Sequence, residues 1–209
     1  MVRVRLASDQ RRAQLLELGV DLFARHAYDE LTTDSIATGG GISKGLLFHY
    51  FGSKRGFYLA TIEHVAQRLL DEVELAPSPT PFDEVQRVLD RFLDFVGEHS
   101  AIYRALLRGG LGADPQSQAV IERVRWTIVQ RVLGLLDPQR AAPRDEATAV
   151  FDRVGLRLYG WVGTTEALSL SWIDHDLSRE WIRTLILESF APVLAAWPRD
   201  REAAAISAS

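Results

Sequence analysis

The sequence predicts an all-α chain of about nine helices, a three-helix N-terminal helix-turn-helix domain followed by a helical bundle. Three observations carry this expectation. Apolar residues recur at the three- and four-residue spacing of a helix with one buried face. Breaking residues fall at intervals that leave helix-length segments between them, at Gly39-Gly40-Gly41, at Pro77, Pro79 and Pro81, and at Gly109-Gly110. No stretch of useful length alternates apolar and polar residues as a half-buried strand would, and there is no internal repeat.

In chain order, a first helix is expected from an N-cap at Ser8 to about Ala27, with Leu16, Val20 and Phe23 on one face. Thr32 or Thr33 caps a short second helix, Asp34 to about Thr38, with Ile36 and Ala37 turned inward. The glycine triplet ends it, because glycine tolerates the positive φ of a tight turn. Ser43 opens a third short helix through about Tyr50, and a long fourth runs from near Ser53 to about Leu75. The stretch from Ala76 to Pro81 is the strongest breaker. Thr80 as cap and Pro81 at the first helical position then launch a fifth helix to about Glu98. Ser100 starts a sixth, ended by Gly109-Gly110, and Pro115 to Leu136 reads as a seventh. An eighth is expected from Pro143 to about Trp172, and a ninth from a cap at Ser178 to about Trp197. The small, polar tail from Arg201 to Ser209 is expected to be disordered.

The last two helices carry more apolar surface than one face can hold. The eighth has Phe151, Val154, Leu158, Tyr159, Trp161, Val162, Leu168, Leu170 and Trp172. The ninth has Trp181, Ile182, Leu185, Ile186, Leu187, Phe190, Val193 and Leu194. A helix apolar on two sides needs two partners. One is its own core and the other is expected to be a second subunit, giving a homodimer through these two helices about a two-fold axis.

Composition is that of an ordinary globular protein, 47% hydrophobic and 25% charged over 209 residues. No apolar run approaches the ~20 residues of a membrane span. The first residues lack the apolar stretch of a secretory signal, so the cytoplasm is the expected location. Cysteine is absent, which excludes disulfide frameworks and thiolate metal sites. The net charge of −4 divides unevenly: residues 1–70 carry nine Lys/Arg and seven Asp/Glu, the remainder fifteen and twenty-one, and both lysines, Lys44 and Lys54, lie in the first part. The positive end is therefore where phosphate binding would need it.

Two short helices joined by a glycine corner within some twenty residues describe a helix-turn-helix, whose second helix enters the major groove. Ile42, Leu47 and Phe51 can anchor that second helix, leaving Lys44, Leu46, Phe48 and His49 outward, while Ser43 and the amides behind it suit a phosphate. The run Thr32-Thr33-Asp34-Ser35-Ile36-Ala37, then Gly41-Ile42-Ser43-Lys44-Gly45-Leu46-Leu47-Phe48-His49-Tyr50-Phe51-Gly52-Ser53-Lys54, resembles the DNA-binding signature of the tetracycline-repressor (TetR) family. That signature reads Thr, then Ile-Ala, then Ala-Gly-Val-Ser-Lys-Gly-Thr-Leu-Tyr-x-Tyr-Phe, then Ser-Lys. The likeness covers roughly residues 10–60; beyond 75 only the helical pattern and the length agree.

The resemblance implies a ligand-responsive regulator, with residues 1–55 as the DNA-binding domain and 56–209 as the ligand-binding and dimerisation domain. It implies a repressor that binds a palindromic operator in double-stranded DNA as a homodimer and is released by a small-molecule effector. Lys44, Gly45, Leu46 and Phe48 would approach base edges or a thymine methyl. Thr33, Ser43, His49, Tyr50 and Lys54 would mainly hold phosphates, and Thr32 is counted among the same DNA-binding residues. Leu46 and Phe48 each lack a hydroxyl that the family pattern carries, so readout would lean on Lys44 and apolar contacts. Gly40 stands where alanine is commoner, which loosens the end of the second helix. Effector candidates on the later helices are Tyr58, His64, Phe92, Phe95, Tyr103, Trp126, Tyr159 and Trp161, and this mostly apolar set implies a hydrophobic effector.

No cofactor and no metal is expected. The histidines at 26, 49, 64, 99 and 175 are scattered, and none has a glutamate three residues before it, as a di-iron bundle requires. Gly41-Ile42-Ser43-Lys44-Gly45 has the spelling of a nucleophile elbow but lacks the preceding strand, and the glycine triplet lacks the lysine of a phosphate loop. A helical enzyme and an architectural DNA-binding factor are the rival classes.

Overall fold

The computed structural model describes residues 2–76, 78–108, 114–137 and 153–207, with side chains between residues 8 and 196 of those stretches. Its helices are α1 (Val2–Arg25), α2 (Thr33–Gly39), α3 (Lys44–Phe51), α4 (Lys54–Glu72), α5 (Pro81–Glu98), α6 (Ser100–Arg108), α7 (Pro115–Leu136), α8 (Arg153–His175) and α9 (Arg179–Ser207), with a 3-10 turn at Tyr28–Glu30. No strand occurs among the described residues, and the all-α class read from the sequence is the fold.

Several boundaries differ from the expectation. α1 begins at Val2 rather than at a cap on Ser8, because Val-Arg-Val-Arg-Leu-Ala contains no breaker and the helix simply continues. Ser8 sits inside it, its hydroxyl 3.5 Å from that of Tyr50. α9 runs past Trp197 and through Pro198 to Ser207, so most of the tail from Arg201 is helical, its Arg-Glu-Ala-Ala-Ala run being a good helix former. α4 stops at Glu72, short of Leu75, and α8 reaches His175 rather than Trp172. The 3-10 turn was not anticipated. The expected stop at Gly109-Gly110, the expected start at Pro143, and Phe151 lie outside the described residues.

The local chemistry of the ends explains the rest. Thr32 resolves as the cap of α2: its Oγ1 accepts from the Ser35 amide at 3.1 Å while the Ser35 hydroxyl oxygen accepts from the Thr32 amide at 3.0 Å. Thr80 accepts from the Asp83 amide at 3.1 Å to start α5. Asp114 starts α7, its Oδ1 accepting from the amides of Gln116 at 2.9 Å and Ser117 at 3.1 Å.

The chain forms two compact units, one of Met1–Arg68 with His99–Ile121 and the other of Leu69–Glu98 with Glu122–Ser209. α4 and α7 each contribute residues to both. In the first unit the core is Leu15, Leu16, Phe23, Ile36, Leu47, Phe57, Tyr58 and Ile62, all nearly inaccessible. Phe23 meets Tyr58 edge-on at 4.8 Å, and Phe51 meets Phe57 at 4.9 Å. Rings in such tilted arrangements add roughly 0.5–1.5 kcal/mol per pair beyond area burial. Gly56 in α4 is needed for close approach, because a Cβ there would stand 2.0 Å from the Phe51 carbonyl oxygen. The end of α3 is thus pressed directly onto the start of α4.

In the second unit, α5, α8 and α9 bury Leu89, Leu93, Val96, Leu158, Ile182, Ile186 and Phe190. The Trp161 indole donates to the Ile186 carbonyl at 3.2 Å and lies 4.7 Å from the Phe190 ring, joining α8 to α9. Glu84 is wholly buried in α5. Its Oε1 accepts from the Ala76 amide at 2.6 Å, tying the segment that enters α5 to the helix, while Oε2 is ion-paired with Arg87 at 2.7 Å without a well-aligned hydrogen bond.

Candidate nucleic-acid interface

The exposed face of α3 follows from how its other face is held. Gly41, at φ +60°, turns the chain after α2, and the amides of Gly41 and Ile42 donate to the carbonyls of Thr38 and Ala37 at 3.1 and 3.0 Å. Ser43 caps α3, its Oγ accepting from the Leu46 amide at 3.2 Å. Leu47 is buried and Phe51 packs on Phe57, so the α-helical period fixes what remains. Lys44, Gly45, Phe48 and His49 are exposed together.

Three of these four positions present surface that a ligand could engage at little cost. Phe48 leaves 45% of its surface in water, an apolar area that a thymine methyl could cover. Lys44 pairs with Asp34 at 2.6 Å, but both side chains are more than half exposed. Such a pair is worth only about 0–1 kcal/mol, so exchange for a base edge or phosphate is inexpensive. Gly45 has no packing reason to be glycine, since an added Cβ would meet nothing closer than the Ser43 Oγ at 3.8 Å.

The other expected DNA contacts are placed less uniformly. Leu46 is half-buried rather than outward, and Thr33 is half-buried as the first residue of α2. Thr32 is exposed, with its hydroxyl engaged in capping α2. Tyr50 is half-buried between Ser8 and the His49 ring, 5.6 Å away. Lys54, expected at a phosphate, turns its ammonium inward. Nζ donates to the carbonyls of Tyr28 at 3.0 Å and Leu31 at 2.9 Å and lies 4.0 Å from the centre of the Tyr28 ring. Those carbonyls belong to the first residue of the 3-10 turn and to the residue just after it, and a cation with three donors satisfies them.

Two features here escaped the sequence reading. One is Asp34, which holds Lys44. The other is the flank of α1: besides Ser8 at Tyr50, the Arg12 guanidinium sits 5.6 Å above the Phe51 ring. Residues 8 and 12 share a helical face, so the spacing was visible, but what that face meets was not.

The eight effector candidates divide between the units. Tyr58, His64 and Tyr103 belong to the first; Phe92, Phe95, Trp126, Tyr159 and Trp161 belong to the second. Tyr58 is buried between Phe23 and Tyr28, and burial raises its phenol pKa above the ordinary value. His64 holds Glu17 at 2.7 Å, and Tyr103, Phe92 and Phe95 are buried. Trp126 and Tyr159 come together at 4.6 Å, both half-buried. Beside them the Tyr159 hydroxyl donates to Glu122 at 2.8 Å, and Arg125 spans Glu122 and Glu166. Burial first, and then that hydrogen bond, raise the Tyr159 pKa.

Among the described residues no helix is long and apolar enough to cross a membrane, and no group of three or more His, Cys, Asp or Glu could hold a metal ion. Residues 15–68 match the pattern described as bacterial regulatory proteins, tetR family, and residues 81–193 match the tetracyclin repressor-like C-terminal domain. The HTH-type transcriptional activator FasR of Mycolicibacterium smegmatis is 32% identical over 175 residues, covering 82% of this chain and 76% of that protein. A tetR-family regulator from Streptomyces coelicolor superposes with a TM-score of 0.72 at 29% identity, covering 90% of this chain and 82% of that one. FadR from Bacillus subtilis, solved in complex with stearoyl-CoA, shares the fold at a TM-score of 0.62 and 13% identity, covering 84% of this chain and 95% of that one. The chain belongs to the TetR family of DNA-binding, helix-turn-helix transcription regulators.

Proposed function

We propose that the protein is a ligand-responsive repressor that binds a palindromic operator as a homodimer and releases it on binding a small, mostly hydrophobic effector. The observation that carries this is the free face of α3, where Lys44, Gly45, Phe48 and His49 stand exposed on a helix rigidly capped and anchored behind. Residues 1–55 act as the DNA-binding domain and 56–209 as the effector-binding and dimerisation domain, working in the cytoplasm beside the chromosome.

Dimerisation through α8 and α9 is supported by their large exposed apolar residues, Leu156 at 50% and Trp181 at 53%. Gly160 and Gly163 add a stretch of α8 where a Cβ would meet nothing within 4 Å, room for a partner helix to approach. A two-fold dimer sets its recognition helices one DNA turn apart, about 34–36 Å. The half-buried Trp126–Tyr159 pair, next to the Arg125 network, is the best-supported effector contact: aromatic surface with one polar anchor is the usual make-up of a ligand site. α4 contributes residues to both compact units and is the element through which effector binding alters the spacing of the heads. A coupling of about 1–3 kcal/mol suffices for such a switch.

FasR is named an activator. The sign of regulation is set by where the operator lies relative to a promoter, so repression is tested separately. Selection of bound duplexes from a random pool should return a palindrome bound by two subunits, and that palindrome upstream of a reporter should lower expression. Recovery of no preferred sequence, with binding that depends on salt alone, would favour the architectural reading instead.

A further inference from the structure

The inward turn of Lys54 leaves the recognition helix without the phosphate anchor expected beside it. Seven cationic side chains are described between residues 8 and 70: Arg11, Arg12, Arg25, Lys44, Lys54, Arg55 and Arg68. Lys44 pairs with Asp34, Arg55 with Asp114 and Arg68 with Glu17, and Lys54 is held by backbone carbonyls. Arg11 donates to Gln14, and Arg25 stands at the far end of α1. Arg12 is exposed, has no carboxylate within ion-pair distance among the described residues, and adjoins α3 through the Phe51 ring.

We infer that Arg12 binds a phosphate of the operator backbone and replaces Lys54 as the phosphate anchor beside the recognition helix. This rests on the DNA-binding reading of α3. A major groove about 12 Å wide is nearly filled by a helix about 10–12 Å across with its side chains. A residue standing immediately off the flank of that helix therefore meets the sugar–phosphate ridge, not a base. Arg12 is such a residue, because its helix is docked against the C-terminal half of α3 at two points, Ser8 to Tyr50 at 3.5 Å and Arg12 over Phe51. The ring contact also helps on energetic grounds. It holds the guanidinium plane on an apolar support and limits its freedom before DNA arrives, leaving its N–H fork for the two oxygens of a phosphodiester.

The test uses the full-length protein, its selected operator and an unrelated duplex, with affinities measured over a salt series. Arg12→Gln should weaken binding to both duplexes by a similar factor and reduce the slope of log K against log salt by about 0.9 per bound subunit, while Arg12→Lys keeps the slope. The thermal midpoint should fall only slightly, through the lost Phe51 contact, and the salt slope, which that packing does not affect, separates the two effects. Wild-type slope in Arg12→Gln overturns the assignment, whatever happens to affinity. If the wild-type protein itself binds neither duplex in a salt-dependent way, the DNA-binding reading falls and the Arg12 assignment falls with it.

Discussion

Replacing Lys54 by Met separates a structural lysine from a DNA-contacting one. The substitution keeps most of the apolar stem and removes the ammonium, leaving the Tyr28 and Leu31 carbonyls without their donor. Hydrogen bonds to a charged donor contribute about 1.5–3 kcal/mol each, and the low end applies because the site is only half-buried and water can reach it. The contact with the Tyr28 ring adds roughly 0.5–1 kcal/mol. Against these stands the rotamer freedom an ordered lysine gives up, up to about 2 kcal/mol. The net loss is about 2 kcal/mol. For a chain of this size that lowers the thermal midpoint by about 4–8 °C, read by differential scanning calorimetry or circular dichroism. The salt slope of DNA binding, measured well below that midpoint, should stay at its wild-type value. An unchanged midpoint together with a slope reduced by about 0.9 would refute the reasoning and return Lys54 to the phosphate backbone.

The remaining predictions address the recognition face, the acid response and the dimer. Gly45→Ala should raise stability by up to about 1 kcal/mol, since alanine is the better helix former and the space is open, yet weaken operator binding at least tenfold; equal affinity would mean that DNA does not approach there. Asp114 has its carboxyl pKa lowered first by the hydrogen bonds from Arg55 at 2.7 and 2.8 Å. A lowered folded-state pKa means stability present above the ordinary value of 3.8 and lost as pH falls through the folded value, so Asp114→Asn should flatten the fall in thermal midpoint below about pH 4. An acid limb identical to wild type would count against that pair. Trp181→Glu should shift sedimentation from dimer to monomer: covering its exposed half, roughly 130 Å², is worth about 3 kcal/mol per subunit at ~25 cal/mol per Å². A variant that remains dimeric at micromolar concentration would place the interface elsewhere.

Much of the fold was legible because its punctuation is local. The start of α5 at Thr80-Pro81 and the span of α7 from Pro115 to Leu136 were read correctly from caps and proline alone. The same holds for the start of α3, whose cap is Ser43. The misjudged ends are those where the local signal misleads: Ser8 is a good cap by type, but nothing before it stops the helix, and Pro198, a breaker by type directly after Trp197, lies inside α9, which continues to Ser207. Asp114 as the cap of α7 and partner of Arg55 joins residues fifty-nine apart in sequence, a separation over which no periodicity argument operates. The inward turn of Lys54 was illegible for a related reason. It depends on two carbonyls left over by a 3-10 turn that composition does not announce.

The same division, between what is held and what is left unmet, runs through the recognition helix and bears on how it can read DNA. Behind α3 every determinant is tightly set: Ser43 caps the helix, Leu47 is buried, and Gly56 lets the Phe51 carbonyl sit against α4 with no room for a methyl. In front, Phe48 is solvated at an energetic cost, Lys44 is held by an exposed ion pair worth at most about 1 kcal/mol, and Gly45 leaves a gap. A helix placed this firmly loses little further freedom on binding, while its outward groups have almost nothing to break. On the proposed DNA-binding role of α3, affinity would depend on how well the groove fits that face, and discrimination would fall to the exposed Lys44 and Phe48, because Leu46 is half-buried. An operator rich in guanine opposite Lys44 and thymine opposite Phe48 is the outcome this arrangement requires, and a selected palindrome with neither base at any position facing α3 would contradict it.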